Sequence, residues 1–341
     1  MTPEQIRRLL EQLLDRGFDQ AVDPVLRAAA RALDTGGTSA LGTALAQLDA
    51  EVARLAASGA RLSVDNPVLR AVWGDLEAAL DLQARLISDA SSKVLESALN
   101  AAGTSVRQYA LPGFSDAELE ALNMRWIKPD PEVVARVVDY TRSATWRQQM
   151  QKYAVGSFDD IQTSIFAHIL DGHGGTVPRY LRNLIENAFI KDASTLIRTM
   201  QMTAYRDAAV IHRMANADIL EKHIRIATLD DRCCMGCIGL HGTELRLNER
   251  VDDHHNGRCD SISIVKGFPR QIETGDAWFS RQSPERKRAL MGGANYAAYQ
   301  AGKVQLQDFV GKRKDDVFGP QIYELSLKGI LGDGAKDYYG R

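Results

Sequence analysis

The sequence predicts a mainly α fold: a helical bundle with long helices, plus a small α+β module near the C-terminus. Apolar residues recur at helical spacing through most of the 341 residues, and they alternate with polar residues only between positions 222 and about 267. All four cysteines of the chain lie in that second region. With 45% hydrophobic and 25% charged residues, the composition is that of a globular protein able to bury a core.

Residues 1–110 are predicted to form an N-terminal helical bundle. The first apolar stripe, at the i, i+3, i+4, i+7 spacing of an amphipathic helix, consists of Ile6, Leu9, Leu10, Leu13 and Leu14. A third helix shows the alternating four- and three-residue spacing of a bundle seam. The longest pattern begins after Pro67 and continues towards Val94, so it predicts a long helix.

Residues 111–221 are predicted to form a helical domain that ends in a long helix. Ser115 and Glu118 have the spacing of a capping box, and Asp130 followed by Pro131 is a typical helix start. The stretch DGHGGTVP lacks the GxxxxGK[ST] pattern of a phosphate-binding loop, and no strand precedes it. It is therefore predicted to be a turn between helices.

Residues 222–267 are predicted to form the α+β module, and residues 268–341 a helical C-terminal tail. In HIRIATLDD, Ile224 and Ile226 alternate with polar residues as in a half-buried strand, and LHGTELRLNE and SISIV do the same. The tail contains PERKRALMGGANYAAYQAG and QIYELSLKGIL, which are predicted to be helical. A module of about 45 residues buries too little apolar surface to fold well by itself, so a disulfide or a metal is expected to stabilise it.

The charge balance and the terminal sequence restrict the possible partners. The formal net charge is -2, so the chain as a whole lacks the excess of positive charge that neutralises nucleic-acid phosphates, and any DNA contact must be local. Charged residues interrupt the N-terminal leucines, unlike the apolar core of a signal peptide, and no stretch approaches the roughly 20 apolar residues that span a bilayer. We therefore expect no membrane partner and a reducing cytoplasm, where clustered cysteines are more often metal ligands than disulfides.

The cysteine spacing predicts a metal site in the module. Cys234 and Cys237 form a CxxC knuckle, and Cys259 supplies a third thiolate. His254 or His255 supplies the fourth ligand, which completes a closed tetrahedral zinc site of three thiolates and one imidazole. Because a closed site has no vacant position, the predicted role of the Zn²⁺ is structural, and the module is predicted to be zinc-binding.

Cys233 lies outside the CxxC spacing and is predicted to be a thiol that binds no metal. The alternative for the whole cluster is a group of buried thiols without a metal.

Two other functions compete with a purely structural one. A zinc-stabilised DNA-binding module could use the basic runs Arg286-Lys287-Arg288 and Lys312-Arg313-Lys314, although short charge runs are usually solvated surface. An HNH-like nuclease would use the DHHN stretch, with its first histidine activating a water beside a divalent metal. That centre needs a later histidine, and none follows His255. We therefore expect no enzymatic activity, no catalytic residues and no other cofactor site.

The order LDDRxCxxC, then LHG, then H and RC, resembles the minor head or head morphogenesis proteins of tailed bacteriophages, the group around the F protein of phage Mu. Nine positions of this chain fall on the pattern of that family: Asp230, Arg232, Cys234, Cys237, Leu240, Gly242, His254, Arg258 and Cys259. Three positions depart from it, with Cys233 in place of the usual Thr, His255 in place of Pro, and Gly257 in place of the first cysteine of C-R-C. The resemblance is specific at this motif and covers about residues 190–330.

The resemblance implies a ligand set and a role. His254 aligns with the histidine of the family, so the implied ligands are Cys234, Cys237, His254 and Cys259. The implied role is that of a virion structural and assembly protein, which associates with the portal vertex or the capsid interior. The expected partners are the portal protein, the major capsid protein or both, with possible contact with packaged phage DNA. The expected location is the virion, and the host cytoplasm during assembly.

Overall fold

The computed structural model describes residues 67–111, 115–121, 124–130, 191–315 and 317–339, together with scattered positions from 43 to 58 and positions 132 and 136. The chain divides into two compact units. The first includes the described residues between Leu95 and Val138 and between Thr199 and Arg341, and the second those between Gln20 and Val94 and between Asp139 and Arg198. The predicted helices before residue 43 and the predicted turn in DGHGGTVP lie outside the described residues.

Three helices with described bounds precede the first strand, and the scattered described positions between 43 and 57 and positions 132 and 136 are also helical. The three helices are α1 (Pro67–Ala110), α2 (Asp116–Ala121) and α3 (Lys191–Ala215). The capping box predicted at the start of α2 is present, since the Ser115 backbone N–H donates to Glu118 at 2.7 Å and the Glu118 N–H donates to the Ser115 hydroxyl at 3.3 Å. Not one of the described helices is long and apolar enough to cross a membrane.

A three-stranded antiparallel sheet follows, in the order β2-β1-β3. Its strands are β1 (Leu220–Ile226), β2 (Glu244–Leu245) and β3 (Asp260–Val265), and the short helix α4 (Met235–Gly239) lies between β1 and β2 in sequence. Ile224 is opposite Ile262 on one side and Glu244 on the other. The strands predicted in HIRIATLDD and SISIV are therefore confirmed, whereas the one predicted in LHGTELRLNE is only two residues long.

The C-terminal part alternates short helices with a hairpin. The helices are α5 (Gly275–Ser280), α6 (Pro284–Met291), α7 (Gly293–Gln300) and α8 (Leu327–Leu331), with 3₁₀ turns at Leu306–Phe309 and Gly332–Tyr338. The hairpin consists of β4 (Val310–Asp315) and β5 (Gly319–Glu324), which are antiparallel, with Lys312 opposite Ile322.

The prediction of a mainly α fold, a helical bundle with long helices plus one small α+β module, is wrong. The described residues are 53% helical and 15% strand, with two small antiparallel sheets, so the class is mixed α and β. The sequence reading missed β4 because VGKRKD has no alternation of apolar and polar residues. It also assigned QIYE to a helix, whereas this segment is β5, whose Ile322 and Gln321 are buried.

Four apolar clusters lie among the described residues of the first unit, and two of them are larger than the others. One joins the end of α1 to α3, and its buried residues are Leu95, Ala98, Leu99, Ala102, Val106, Met202, Ala204, Tyr205, Ala208 and Ala209. The other includes Cys237 and Cys259 together with Trp278, Phe279 and Phe309. The cysteine region therefore shares its core with residues on the C-terminal side of position 267.

Candidate metal centre

The CxxC knuckle is formed by the start of helix α4. Cys234 is the N-cap residue, with φ -72° and ψ 158°, and its sulfur accepts a hydrogen bond of 3.3 Å from the backbone N–H of Cys237. A Ser or Asp side chain usually accepts this bond at a helix N-terminus. The cap therefore turns the Cys234 sulfur towards the residue that carries the second thiol.

His254 presents one ring nitrogen to this knuckle. Its Nε2 lies 3.6 Å from the sulfur of Cys234, and its Nδ1 lies 2.7 Å from the carbonyl oxygen of His255. Because a carbonyl oxygen can only accept, Nδ1 carries the hydrogen, and the lone pair of the neutral ring is on Nε2. A backbone carbonyl that fixes the tautomer in this way is typical of histidines that bind metals.

The structure brings Cys234, Cys237, His254 and Cys259 into one cluster that could hold a metal ion. Two overlapping groups have ligand atoms within 4.8 Å of one another: Cys234, Cys237 and His254 in one, and Cys237, Asp253 and Cys259 in the other. Cys237 and Cys259 are buried, whereas Cys234 and His254 are partly exposed. Three sulfurs and one imidazole nitrogen form the donor set that suits Zn²⁺.

Without a metal, the two buried thiols are strongly disfavoured as thiolates. The hydrogen bond to Cys237 and burial raise the pKa of Cys259 well above its usual value, and the hydrogen bond with Cys234 raises the pKa of Cys237. A divalent cation removes this penalty, because a thiolate that coordinates a metal is stabilised in its deprotonated form. The donor set therefore fits a cation in chemistry as well as in position.

His255 and Cys233 face other surroundings, and among the described residues neither belongs to a group that could hold a metal. The Nε2 of His255 lies 3.8 Å from a carboxylate oxygen of Asp315, and its ring meets the edge of Phe318 with centroids 5.7 Å apart. Cys233 is buried, and burial raises the pKa of its thiol. The sequence alone left His254 and His255 as alternatives, and the geometry favours His254.

Asp253 is a central residue of this site that sequence reasoning missed. Its carboxylate is completely buried, and it accepts backbone hydrogen bonds from His254 at 2.9 Å and from Cys259 at 3.0 Å. Burial by itself would raise its pKa, but Arg206 and Arg225 outweigh burial and hold the pKa of Asp253 below its usual value. The only sequence signal was its position directly before the two histidines.

Two buried arginines adjoin Asp253, and neither was predicted. Arg206 of α3 forms an ion pair of 2.7 Å with one carboxylate oxygen, and Arg225 of β1 lies 3.6 Å from the other. Arg225 also contacts the sulfur of Cys237 at 3.8 Å. Burial lowers the pKa of this guanidinium, but Cys259, Asp253 and Cys237 outweigh it and raise the pKa. The sequence offered no signal for Arg225, because a charged residue between Ile224 and Ile226 is expected on the exposed face of a half-buried strand.

A second ion pair joins the two halves of the cysteine motif. The guanidinium of Arg258 donates two hydrogen bonds of 2.6 Å to the two carboxylate oxygens of Asp230. Such paired, parallel bonds fix both distance and orientation. Asp230 lies just before the CxxC knuckle and Arg258 just before Cys259, so the pair holds the two ligand-bearing segments together.

One glycine is required by the close packing of this loop. A Cβ atom on Gly257 would lie 2.1 Å from the carboxyl carbon of Asp253, a distance that no side chain can accommodate without movement. The carboxylate of Asp253 therefore occupies the space beside position 257, which leaves room only for glycine.

The two basic runs lie away from this cluster in sequence and are partly occupied within the protein. Arg286 pairs with Asp231 at 3.0 Å, and Lys287 donates to the carbonyl oxygen of Ser280. Lys312 and Lys314 are exposed on β4. DNA contact by these runs stays a prediction.

No protein-family model, curated protein or solved structure matches this chain.

Proposed function

We propose that this chain is a structural protein of a tailed-bacteriophage head, a minor head or head morphogenesis protein, in which Cys234, Cys237, His254 and Cys259 hold one structural Zn²⁺. The proposal places the protein at the portal vertex or the capsid interior. The partners would be the portal protein, the major capsid protein or both. Packaged phage DNA would be a further partner, contacted by the exposed Lys312 and Lys314 of β4.

The observation that carries this proposal is that the motif residues serve one compact centre. Cys234, Cys237 and His254 form one group that could hold a metal, and Cys237 and Cys259 belong to a second, overlapping group. The ion pair between Asp230 and Arg258 holds the two halves of the motif together. Gly242 of the same motif has φ +89°, a conformation that glycine adopts without strain. The motif that resembles the minor head family is thus the part of the sequence that builds the cluster.

The ligand set supports a structural rather than a catalytic ion. Catalytic zinc keeps one position for water or substrate, whereas four protein ligands fill a tetrahedral site. The binding free energy then contributes to folding, which suits a region whose apolar cluster is shared between the cysteine segment and the C-terminal helices.

Metal analysis of the purified protein tests the centre. We expect about one zinc per chain, the stoichiometry of a single closed site. Cys234→Ser and Cys237→Ser should each lose the metal, while Cys233→Ser, which changes an adjacent buried thiol, should keep it. A wild-type protein without metal, or loss of zinc only in Cys233→Ser, would refute this ligand set.

Particle composition tests the role. Co-expression with the portal protein of the same phage should give a complex that survives size-exclusion chromatography, and mass spectrometry of purified particles should detect the chain. A protein that elutes alone and is missing from particles would refute the role even if it binds zinc. Nicking of plasmid in Mg²⁺ or Mn²⁺ that disappears in His254→Ala would instead favour the nuclease.

A further inference from the structure

Three buried charges meet beneath the ligand cluster. Arg206 comes from α3, Arg225 from β1 and Asp253 from the loop that carries His254, and we refer to these three residues as the buried triad. The side chain of Asp253 is 0% exposed, and those of Arg206 and Arg225 are 5% and 4% exposed. Burying a charge is costly unless it is paired and hydrogen-bonded, so a conspicuous group of three requires an explanation.

Both carboxylate oxygens of Asp253 are already engaged. One accepts from the backbone N–H of His254 at 2.9 Å, and the other accepts from the backbone N–H of Cys259 at 3.0 Å and from Arg206 at 2.7 Å. The two N–H donors belong to the two ligands of the second half of the motif. Asp253 therefore shapes the loop that positions these ligands, although its oxygens lie close enough to thiols to be considered as a ligand itself.

Arg206 holds the same loop from the helix. Its guanidinium donates to the carbonyl oxygen of Cys259 at 2.7 Å and 3.0 Å and to that of Gly257 at 3.0 Å. One side chain of α3 thus fixes the backbone on both sides of Arg258 as well as the carboxylate of Asp253. This fixation determines where the sulfur of Cys259 can lie.

Arg225 faces the other half of the cluster. Its guanidinium donates to the carbonyl oxygen of Asp252, and it lies 3.6 Å from Asp253 and 3.8 Å from the sulfur of Cys237. A guanidinium at this place stabilises a thiolate by charge and by a weak N–H···S hydrogen bond. Because it contacts both Asp253 and Cys237, it also fixes the position of the Asp253 loop relative to the CxxC knuckle.

The charges of the triad also complement those of the proposed centre. Three thiolates around Zn²⁺ leave one net negative charge, and Asp253 adds a second. Arg206 and Arg225 together supply two positive charges, so the assembly with zinc and three thiolates is electroneutral, whereas the metal-free assembly with three protonated thiols carries one positive charge. A buried assembly of balanced charge avoids much of the desolvation penalty of isolated ions.

We propose that the buried triad of Arg206, Asp253 and Arg225 is the positioning network of the metal centre, which orients the ligands and sets their affinity for zinc. The inference rests on the proposed zinc site. Partners outside the ligand shell typically change metal affinity by about 10- to 100-fold when they are mutated. The triad differs from ordinary core packing in that its effect should appear at the metal itself.

The test compares zinc affinity and the visible spectrum of the Co²⁺-substituted full-length chain. Arg225→Met should weaken zinc binding about 10- to 100-fold in chelator competition and change the sulfur-to-cobalt charge-transfer band. Arg225→Lys, which retains the charge, should recover a large part of the affinity, and Asp253→Asn should weaken binding as Arg225→Met does. The matched control is Arg213→Met, because Arg213 is 1% exposed but its guanidinium donates to Ser261.

The possible outcomes distinguish a failure of the positioning role of the triad from a failure of the proposed zinc site. If the wild type binds zinc and both Arg225→Met and Asp253→Asn keep its zinc affinity and Co²⁺ spectrum, the positioning role is overturned and the zinc site stands. A wild-type protein that binds no zinc would overturn both. If Asp253→Asn is insoluble, the Arg225→Met and Arg225→Lys pair decides, and an equal loss of zinc affinity in Arg213→Met would show a general effect of core disruption and overturn the inference.

Discussion

At the scale of single residues, two adjacent histidines present the same ring nitrogen to different partners. The Nε2 of His254 faces the sulfur of Cys234, whereas the Nε2 of His255 faces Asp315. We therefore expect His254→Ala to lose the bound zinc and His255→Ala to retain it, because only the first removes a ligand. Zinc content after gel filtration measures this difference, and the reverse pattern would assign the fourth ligand to His255.

A second residue-scale prediction concerns the pH dependence of stability. His223 is completely buried, and its Nε2 lies 2.9 Å and 3.1 Å from two backbone carbonyl oxygens. Burial, with a smaller effect of Arg213, lowers its pKa from 6.5 to about 3. The unfolded chain therefore binds a proton that the folded chain does not, so the contribution of His223 is fully present above pH 6.5 and is lost as the pH falls towards 3.

Urea unfolding at pH 7 and pH 5 measures this effect. A single histidine with these two pKa values should reduce the free energy of unfolding by about 2 kcal/mol over that interval. His223→Gln keeps a donor for the carbonyls but does not titrate, so its loss between the two pH values should be smaller than that of the wild type by this amount. His241, whose pKa burial lowers to about 4, contributes equally in both proteins. Identical pH slopes would contradict the prediction.

At the scale of secondary structure, prediction succeeded where local periodicity carries the information. Ile224 and Ile226 alternate with polar residues and indeed form β1, and the box of Ser115 and Glu118 starts α2. Strand β4 could not be recognised, because Lys312 and its neighbours are held in an extended conformation by pairing with β5 and not by their own pattern. Pairing across the hairpin overrides local propensity here.

The same distinction applies to the candidate site. The ligands lie within 26 positions of one another and follow spacing rules, so Cys234, Cys237 and Cys259 could be selected from the sequence. Arg206 could not, because it contacts Asp253 across 47 positions of sequence, and only the docking of α3 against the loop brings them together. From the sequence alone, a charged residue in an amphipathic helix is expected to face solvent.

One long-range contact between elements allows a direct test. Arg270, in the loop after β3, donates to the carbonyl oxygens of Tyr109 at 2.7 Å and of Ala110 at 2.8 Å, which are at the C-terminus of α1. The last carbonyls of a helix have no partner within it. We expect Arg270→Ala to reduce the free energy of unfolding by about 1–3 kcal/mol, because it leaves two partly buried acceptors unsatisfied.

The matched control for this contact is Lys266, which donates to the carbonyl oxygens of Ala217 and Asp218 at the surface. Lys266→Ala should change the free energy of unfolding by less than about 0.5 kcal/mol, because water replaces the lost donor. Urea unfolding of both variants measures the difference. Equal effects would show that Arg270 does not stabilise the end of α1.

At the scale of the whole molecule, the ligand cluster and the C-terminal helices share one apolar cluster. Cys237 and Cys259 are buried together with Phe279 and Phe309, and helix α4 lies against the 3₁₀ turn that carries Phe309. A change at the metal should therefore reach residues on both sides of position 267. The helical cluster of α1 and α3 is formed by a different set of residues and should respond less.

Chelation of the metal tests this coupling through limited proteolysis. Structural zinc contributes about 10–16 kcal/mol of binding free energy, which is comparable to the entire free energy of unfolding of a typical domain. We therefore expect the chelated chain to be cleaved both within residues 222–267 and within residues 268–339 at least about tenfold faster than the zinc-loaded chain, since local opening exposes cleavage sites. Cleavage of α1 and α3 should accelerate less.

Added Zn²⁺ should restore protection and Mg²⁺ should not, because thiolate and imidazole ligands favour Zn²⁺ over a cation that prefers oxygen. Cleavage confined to residues 222–267 would mean that the tail folds independently of the metal, and unchanged cleavage throughout would mean that the cluster contributes nothing to the stability of the molecule.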